Sequence, residues 1–277
     1  KEIHLITITG MGGIGKTRLS QEIGKTISNS FMDGVFFADF SGVFDEKLIF
    51  ANLAKVFRIS LIASIDNEMQ ISEYISDKKI LAIIDNFEQL SYAGSKISSL
   101  VKNCQNLFVI VTSRNPLELS VETEYSIDSL PVPEINSKIN KIELNPAVIL
   151  FAERSRAAFK NFKLNEENIY DVSEICRLLG GIPLAIELAA VKVRTLSLKM
   201  IKEKLSKKMD ILSGSLKDVP DRHKTMKATI EWSYDLLSEN EKKLFKRLAV
   251  FTDGFDYEAL ENICCFDIED AYDAIES

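Results

Sequence analysis

The chain has 277 residues, 46% of them hydrophobic and 27% charged, a balance that suits one large or several small globular domains with a sizeable core. A net charge of −7 and a pI near 5.2 argue against a broadly basic nucleic-acid surface. No apolar run reaches the roughly 18 residues of a membrane helix, and four scattered cysteines with two histidines give neither a disulfide framework nor metal-ligand spacing, so a reducing, cytoplasmic setting is expected. The chain opens on a strand pattern almost at once, which is expected of a segment of a longer polypeptide.

The apolar positions Ile3, Leu5, Ile6 and Ile8 predict a first strand, and Leu19, Ile23 and Ile27 predict an amphipathic helix after it. Between them Gly10-Met11-Gly12-Gly13-Ile14-Gly15-Lys16-Thr17 fits the spacing G-x-x-x-x-G-K-[ST] of a phosphate-cradling P-loop. Phosphate oxygens must come close to consecutive backbone N–H groups, so the loop needs residues without Cβ and a helix whose N-terminus faces the anion. Lys16 is then expected on the β- and γ-phosphates and the Thr17 hydroxyl on Mg²⁺.

Residues 34–40 predict a second strand, and 45–57 a helix with Leu48, Leu53 and Val56 on one side. The run 79–85 is continuously aliphatic and closes on Asp85, as in a strand buried on both faces, and 107–112 repeats the design before Ser113-Arg114. Strands alternating with helices imply a parallel α/β sheet with helices on both faces and its ligand at the strand carboxyl ends. Asp85 falls at such an end, where an acid holds Mg²⁺, usually through water. Glu88 is the nearest carboxylate that could orient or deprotonate water, or else an exposed helix-start acid; Arg114 could read a γ-phosphate bidentately, or else be a surface arginine.

From 145 onward the pattern is helical. Asn145-Pro146 opens one helix, 168–179 forms another ending at Gly180-Gly181, and Pro183 starts the next. The lysine-rich run 199–208 reads as a solvated helix face, and Ser238-Glu239-Asn240-Glu241 as a capping box. The expected boundaries give a nucleotide-binding α/β domain at 1–145, a small helical lid domain at 146–217 and a third domain at 218–277.

In this order the motifs resemble the STAND signal-transduction ATPases of the NB-ARC type, closest to the bacterial regulators. The residues that carry the likeness are 9–17, Ile83-Ile84-Asp85-Asn86-Phe87-Glu88, Val111-Thr112-Ser113-Arg114 and Gly180-Gly181-Ile182-Pro183-Leu184-Ala185. Arg222-His223-Lys224-Thr225 and Trp232-Ser233-Tyr234-Asp235-Leu236-Leu237 resemble the opening of the family's winged-helix domain, continued by 245–251. The resemblance implies ATP or ADP with Mg²⁺, and Pro183 with Leu184 at the adenine, Arg18 and Leu19 nearby. It also implies slow ATP hydrolysis, a closed ADP state, self-oligomerisation with ATP, and effector or sensor domains outside this segment. The P-loop residues 10–17 are the binding set; Lys16, Asp85, Glu88 and Arg114 are the catalytic candidates, with Thr17 and Asp85 on the metal. Asn86 stands where some relatives carry a second acid. A metabolic P-loop kinase and a winged-helix DNA-binding module with a structural nucleotide are the alternatives; neither membrane nor direct nucleic-acid binding is expected.

Overall fold

The computed structural model describes residues 3–207, 234, 237–251 and 257–264. Contacts divide the chain into two compact units, Lys1–Gly214 and Ser215–Ser277. Among its described residues the first holds five strands, β1 (Leu5–Thr9), β2 (Val35–Asp39), β3 (Ile80–Asp85), β4 (Leu107–Thr112) and β5 (Glu122–Ser126), in one wholly parallel sheet of order β2-β3-β4-β1-β5. Parallel neighbours need crossover connections, and helices supply them.

The three middle strands are aliphatic because both their faces are covered. On one face Leu5, Ile80, Ala82, Ile84, Val109 and Val111 meet helices α2 (Ile49–Phe57), α3 (Asn67–Ile75) and α4 (Gly94–Asn103). On the other, Ile8, Leu81, Ile83 and Ile110 meet Leu19 and Ile23 of α1 (Lys16–Thr26). Alternate residues of each strand point to opposite faces, which is how one run serves two helix layers.

Two expectations are corrected in detail. The helix anticipated at 45–57 begins as a 3₁₀ turn, Glu46–Leu48, with Asp45 accepting from the Lys47 N–H, and becomes α-helical only in α2. Strand β5 was not anticipated. Its residues are polar and mostly exposed, so it carries no apolar pattern; it is a strand because its backbone completes the edge beside β1.

Helices α5 (Ile139–Glu143), α6 (Pro146–Ala158), α7 (Ile169–Leu178), α8 (Pro183–Val191) and α9 (Leu198–Lys207) follow, α6 packing on α8 and α7 on α9. Asn145 caps α6 and Pro146 sits in its first turn, where a missing N–H costs nothing. Lys202 of the lysine-rich run is held by Asp171 and Glu174 at 2.6 and 2.7 Å, which ties that stretch of α9 to α7.

In the second unit, α10 (Glu239–Leu248) and α11 (Tyr257–Cys264) bury Leu244, Leu260 and Cys264 together. The expected capping box is present: Ser238 Oγ accepts from the Glu241 N–H at 3.3 Å, and Glu241 accepts from the Ser238 N–H. The motif Arg222-His223-Lys224-Thr225, Cys265 and most of the Trp232–Leu237 motif lie outside the described residues.

Candidate functional site

Strand β1 ends at Thr9, and the P-loop bends over the carboxyl edge of the sheet before α1 begins at Lys16. Gly13 and Gly15 have φ of +79° and +104°, in the left-handed region where a Cβ is strained. No side chain caps α1, so its first N–H groups and dipole are left to the loop concavity. Lys16 Nζ lies over this loop, donating to the Gly10 and Met11 carbonyls at 2.5 and 3.2 Å.

Beside the loop, three strand ends meet at one buried carboxylate. Asp85 is only 2% exposed. Its Oδ1 accepts from the hydroxyls of Thr17 (2.8 Å) and Thr112 (2.6 Å); its Oδ2 accepts from Thr17 (2.9 Å) and from Asn86 Nδ2 (2.7 Å). Burial pushes the Asp85 carboxyl above its ordinary range; the two threonine hydroxyls oppose the rise, while Asp39 and Glu88 add to it.

Arg114 and Glu88 come together behind this cluster, Nε to Oε1 at 3.5 Å, with side chains 17% and 9% exposed. Glu88 Oε2, Gln89 Oε1 and Ser113 Oγ are buried without a hydrogen-bond partner. Orphaned oxygens at the carboxyl ends of β3 and β4 are costly unless something else fills the space. The uncapped start of α1 and the hydroxyl-plus-carboxylate pair of Thr17 and Asp85 fit a phosphate chain with Mg²⁺, which takes one or two carboxylates and substrate phosphates rather than a full protein cage.

The turn before α8 reaches the same loop. Leu184 N–H donates to the Gly13 carbonyl at 3.1 Å, and a Cβ on Gly13 would stand 2.9 Å from that of Leu184. On its other side Gly181 accepts from the Leu130 N–H at 3.0 Å, so close that a Cβ there would lie 2.0 Å from the Leu130 carbonyl oxygen. Pro183, at the head of α8, is thereby brought beside the loop. Arg18 extends from α1 toward Glu187 of α8 at 3.9 Å, while Arg154 of α6 grips Glu187 with Nε and Nη2, both at 2.8 Å.

Of the sequence-derived candidates in the first unit, residues 10–17 form the loop, Asp85, Glu88 and Arg114 lie at the strand ends, and Pro183 and Leu184 lie on the turn that contacts Gly13, whereas Arg18 is directed to Glu187 and Leu19 packs on the sheet with Ile8, Leu81, Ile83 and Ile110. Sequence reasoning gave no role to Thr112, Asp39, Arg154 or Glu187. Thr112 had a signal, a hydroxyl closing an otherwise apolar strand; Arg154 and Glu187 had none, being 33 residues apart in amphipathic helices.

The model of the NB-ARC domain family matches residues 1–126. The chain carries an NB-ARC domain. This agrees with the STAND-class likeness of its motifs. The NB-ARC chain is 32% identical over 94% of its length to a Mycobacterium tuberculosis protein described as an HTH-type transcriptional regulator, spanning 28% of it. It is 31% identical, also over 94%, to an uncharacterized Mycobacterium bovis protein, spanning 64% of that chain. An Arabidopsis thaliana disease resistance protein is 25% identical over 91% of the chain and is covered for 17% of its length. In fold, the NB-ARC chain resembles the Drosophila ORC solved bound to DNA, with a TM-score of 0.54 at 16% identity over 99% of this chain and 80% of that one. Among its described residues no helix is long and apolar enough to cross a membrane.

Proposed function

We propose that this NB-ARC chain is the ATP- and ADP-binding switch module of a larger regulatory protein. The observation that carries the reading is the junction of loop and acid: Thr17, one residue after the P-loop lysine, is bonded to both oxygens of buried Asp85. In this reading the α1 N-terminus and the 10–17 backbone bind the phosphates, with Lys16 turning from the Gly10 and Met11 carbonyls to the β- and γ-oxygens. Thr17 and Asp85 hold the metal, and Arg114 reads the γ-phosphate. Mg²⁺ held there would supply positive charge to offset that of the phosphates. Pro183 and Leu184, carried on the turn that contacts Gly13, close on the adenine with Arg18 and Leu19 at its rim.

Glu88 supports retention over turnover. A general base must reach water, but its Oε1 already faces the Arg114 guanidinium. That engagement supports slow hydrolysis to ADP and phosphate. The proposed parts are a nucleotide domain at 1–145, a helical lid at 146–217 and a partial winged helix at 218–277. Exchange of ADP for ATP changes their arrangement and favours self-association, and domains outside the segment give the output. ATP chemistry and free thiols at Cys104, Cys176 and Cys264 suit a cytoplasmic setting.

The test is the nucleotide that survives purification. Wild type is expected to retain ADP and Lys16→Ala to lose it. A wild type that retains no nucleotide and binds neither ADP nor ATP overturns the reading.

A further inference from the structure

Asp85 does not stand alone at its edge of the sheet. In the register of β2 and β3, Asp39 lies directly opposite Asp85, and like charges side by side on neighbouring strands repel. Asn86 is placed between them. Its Nδ2 donates to Asp39 Oδ1 at 3.0 Å and to Asp85 Oδ2 at 2.7 Å, while its backbone N–H donates to Thr112 Oγ1 at 3.0 Å.

The backbone explains how one side chain reaches both. Asn86 has φ +61°, a left-handed turn that asparagine tolerates better than most residues, and it sets the amide near both carboxylates. Asp39 is fixed in its turn by the Ser41 N–H and hydroxyl at 2.9 and 3.0 Å. The chain of bonds runs from Ser41 through Asp39 and Asn86 to Asp85, and ends on Thr17 of α1.

We propose that Asn86 and Asp39 are a positioning pair that sets the Asp85 carboxylate for the Mg²⁺ of a bound nucleotide. Neither touches the phosphates. Asp39 anchors the amide, and the amide takes one lone pair of Asp85 Oδ2, leaving the carboxylate a single orientation toward Thr17. An aspartate at 86 could not donate and would add a third carboxylate to Asp39 and Asp85. This inference rests on the nucleotide reading above, and concerns the metal dependence of binding.

The experiment titrates ADP calorimetrically into the full chain, in EDTA and at rising Mg²⁺. Asn86→Gly keeps the left-handed backbone comfortable and deletes the amide, so it guards against misfolding; Asp39→Ala deletes the anchor. Each is expected to raise the Mg²⁺ needed for half-maximal tightening about tenfold, the usual effect of losing an outer partner of a metal ligand. ADP affinity in EDTA should stay within about twofold, a separation that a general loss of structure would not produce. Asp39→Asn keeps a carbonyl acceptor for the amide and should recover most of the loss, and the double variant should be no worse than either single one. An unchanged Mg²⁺ requirement in Asn86→Gly, or a parallel fall of affinity in EDTA, overturns this proposal alone. A wild type that binds no ADP in either condition overturns the nucleotide reading instead, and this proposal with it.

Discussion

Thr17 donates its hydroxyl to Asp85 at 2.8 and 2.9 Å, joining the first turn of α1 to the end of a strand 68 residues away. The carboxylate pays with solvation. Burial raises the Asp85 pKa above its ordinary value, so in the apo protein, as pH rises through the window above that value, the folded state keeps a proton that the unfolded chain releases. Wild type should therefore lose stability relative to Asp85→Asn as pH rises from about 4 toward neutrality. Urea midpoints of both proteins in EDTA across that range measure the trend, and a gap independent of pH would refute it.

Two left-handed glycines, Gly181 before α8 and Gly15 at the head of α1, should not be equally replaceable. Gly181→Ala drives a Cβ into the Leu130 carbonyl oxygen at φ +69° and should cost about 2–4 kcal/mol. Gly15→Ala meets nothing within 4 Å and suffers only its left-handed backbone, about 1–2 kcal/mol. Denaturation midpoints of the two variants give the ranking.

Around Glu187 the two arginines differ by geometry. Arg154 makes two contacts at 2.8 Å, Arg18 one at 3.9 Å, and all three side chains are at least one-third exposed, so solvent screens both pairs. Arg154→Ala should lower stability by about 0.5–1 kcal/mol and Arg18→Ala by less than about 0.3 kcal/mol. Losses of equal size in the same denaturation assay would contradict this reading of the shared carboxylate.

Cys176, buried in α7, has its thiol pushed up to about 12 by burial alone. It should resist iodoacetamide at pH 8.5 until the protein unfolds. Between an unfolded thiol near 8.5 and the folded value, stability should fall by about 1.4 kcal/mol per pH unit from this group, a slope missing from Cys176→Ala. Mass spectrometry of the alkylated protein and alkaline denaturation curves read the two effects.

Much of the site could be read from the chain because its chemistry is contiguous. A phosphate loop must be written in successive residues, and Gly10–Thr17 are successive; Asp85 and Arg114 follow apolar runs whose ends are visible. What escaped is set by register. Asp39 meets Asp85 only because β2 pairs with β3 in one alignment, and Thr112 meets it only because β4 lies beyond. Strand β5 was hidden for a related reason: Glu122-Thr123-Glu124-Tyr125-Ser126 buries little, and its strand character comes from β1, more than a hundred residues away.

That placement of β1 bears on how the molecule is made. The strand leading into the P-loop is synthesised before its two neighbours, Leu107–Thr112 and Glu122–Ser126, which follow about a hundred residues later. Until then β1 has neither of the strands it pairs with. Long-range parallel pairing of this kind is slow and leaves apolar edges open to aggregation. A nascent chain halted before residue 107 therefore lacks both strands that flank the one leading into the phosphate loop.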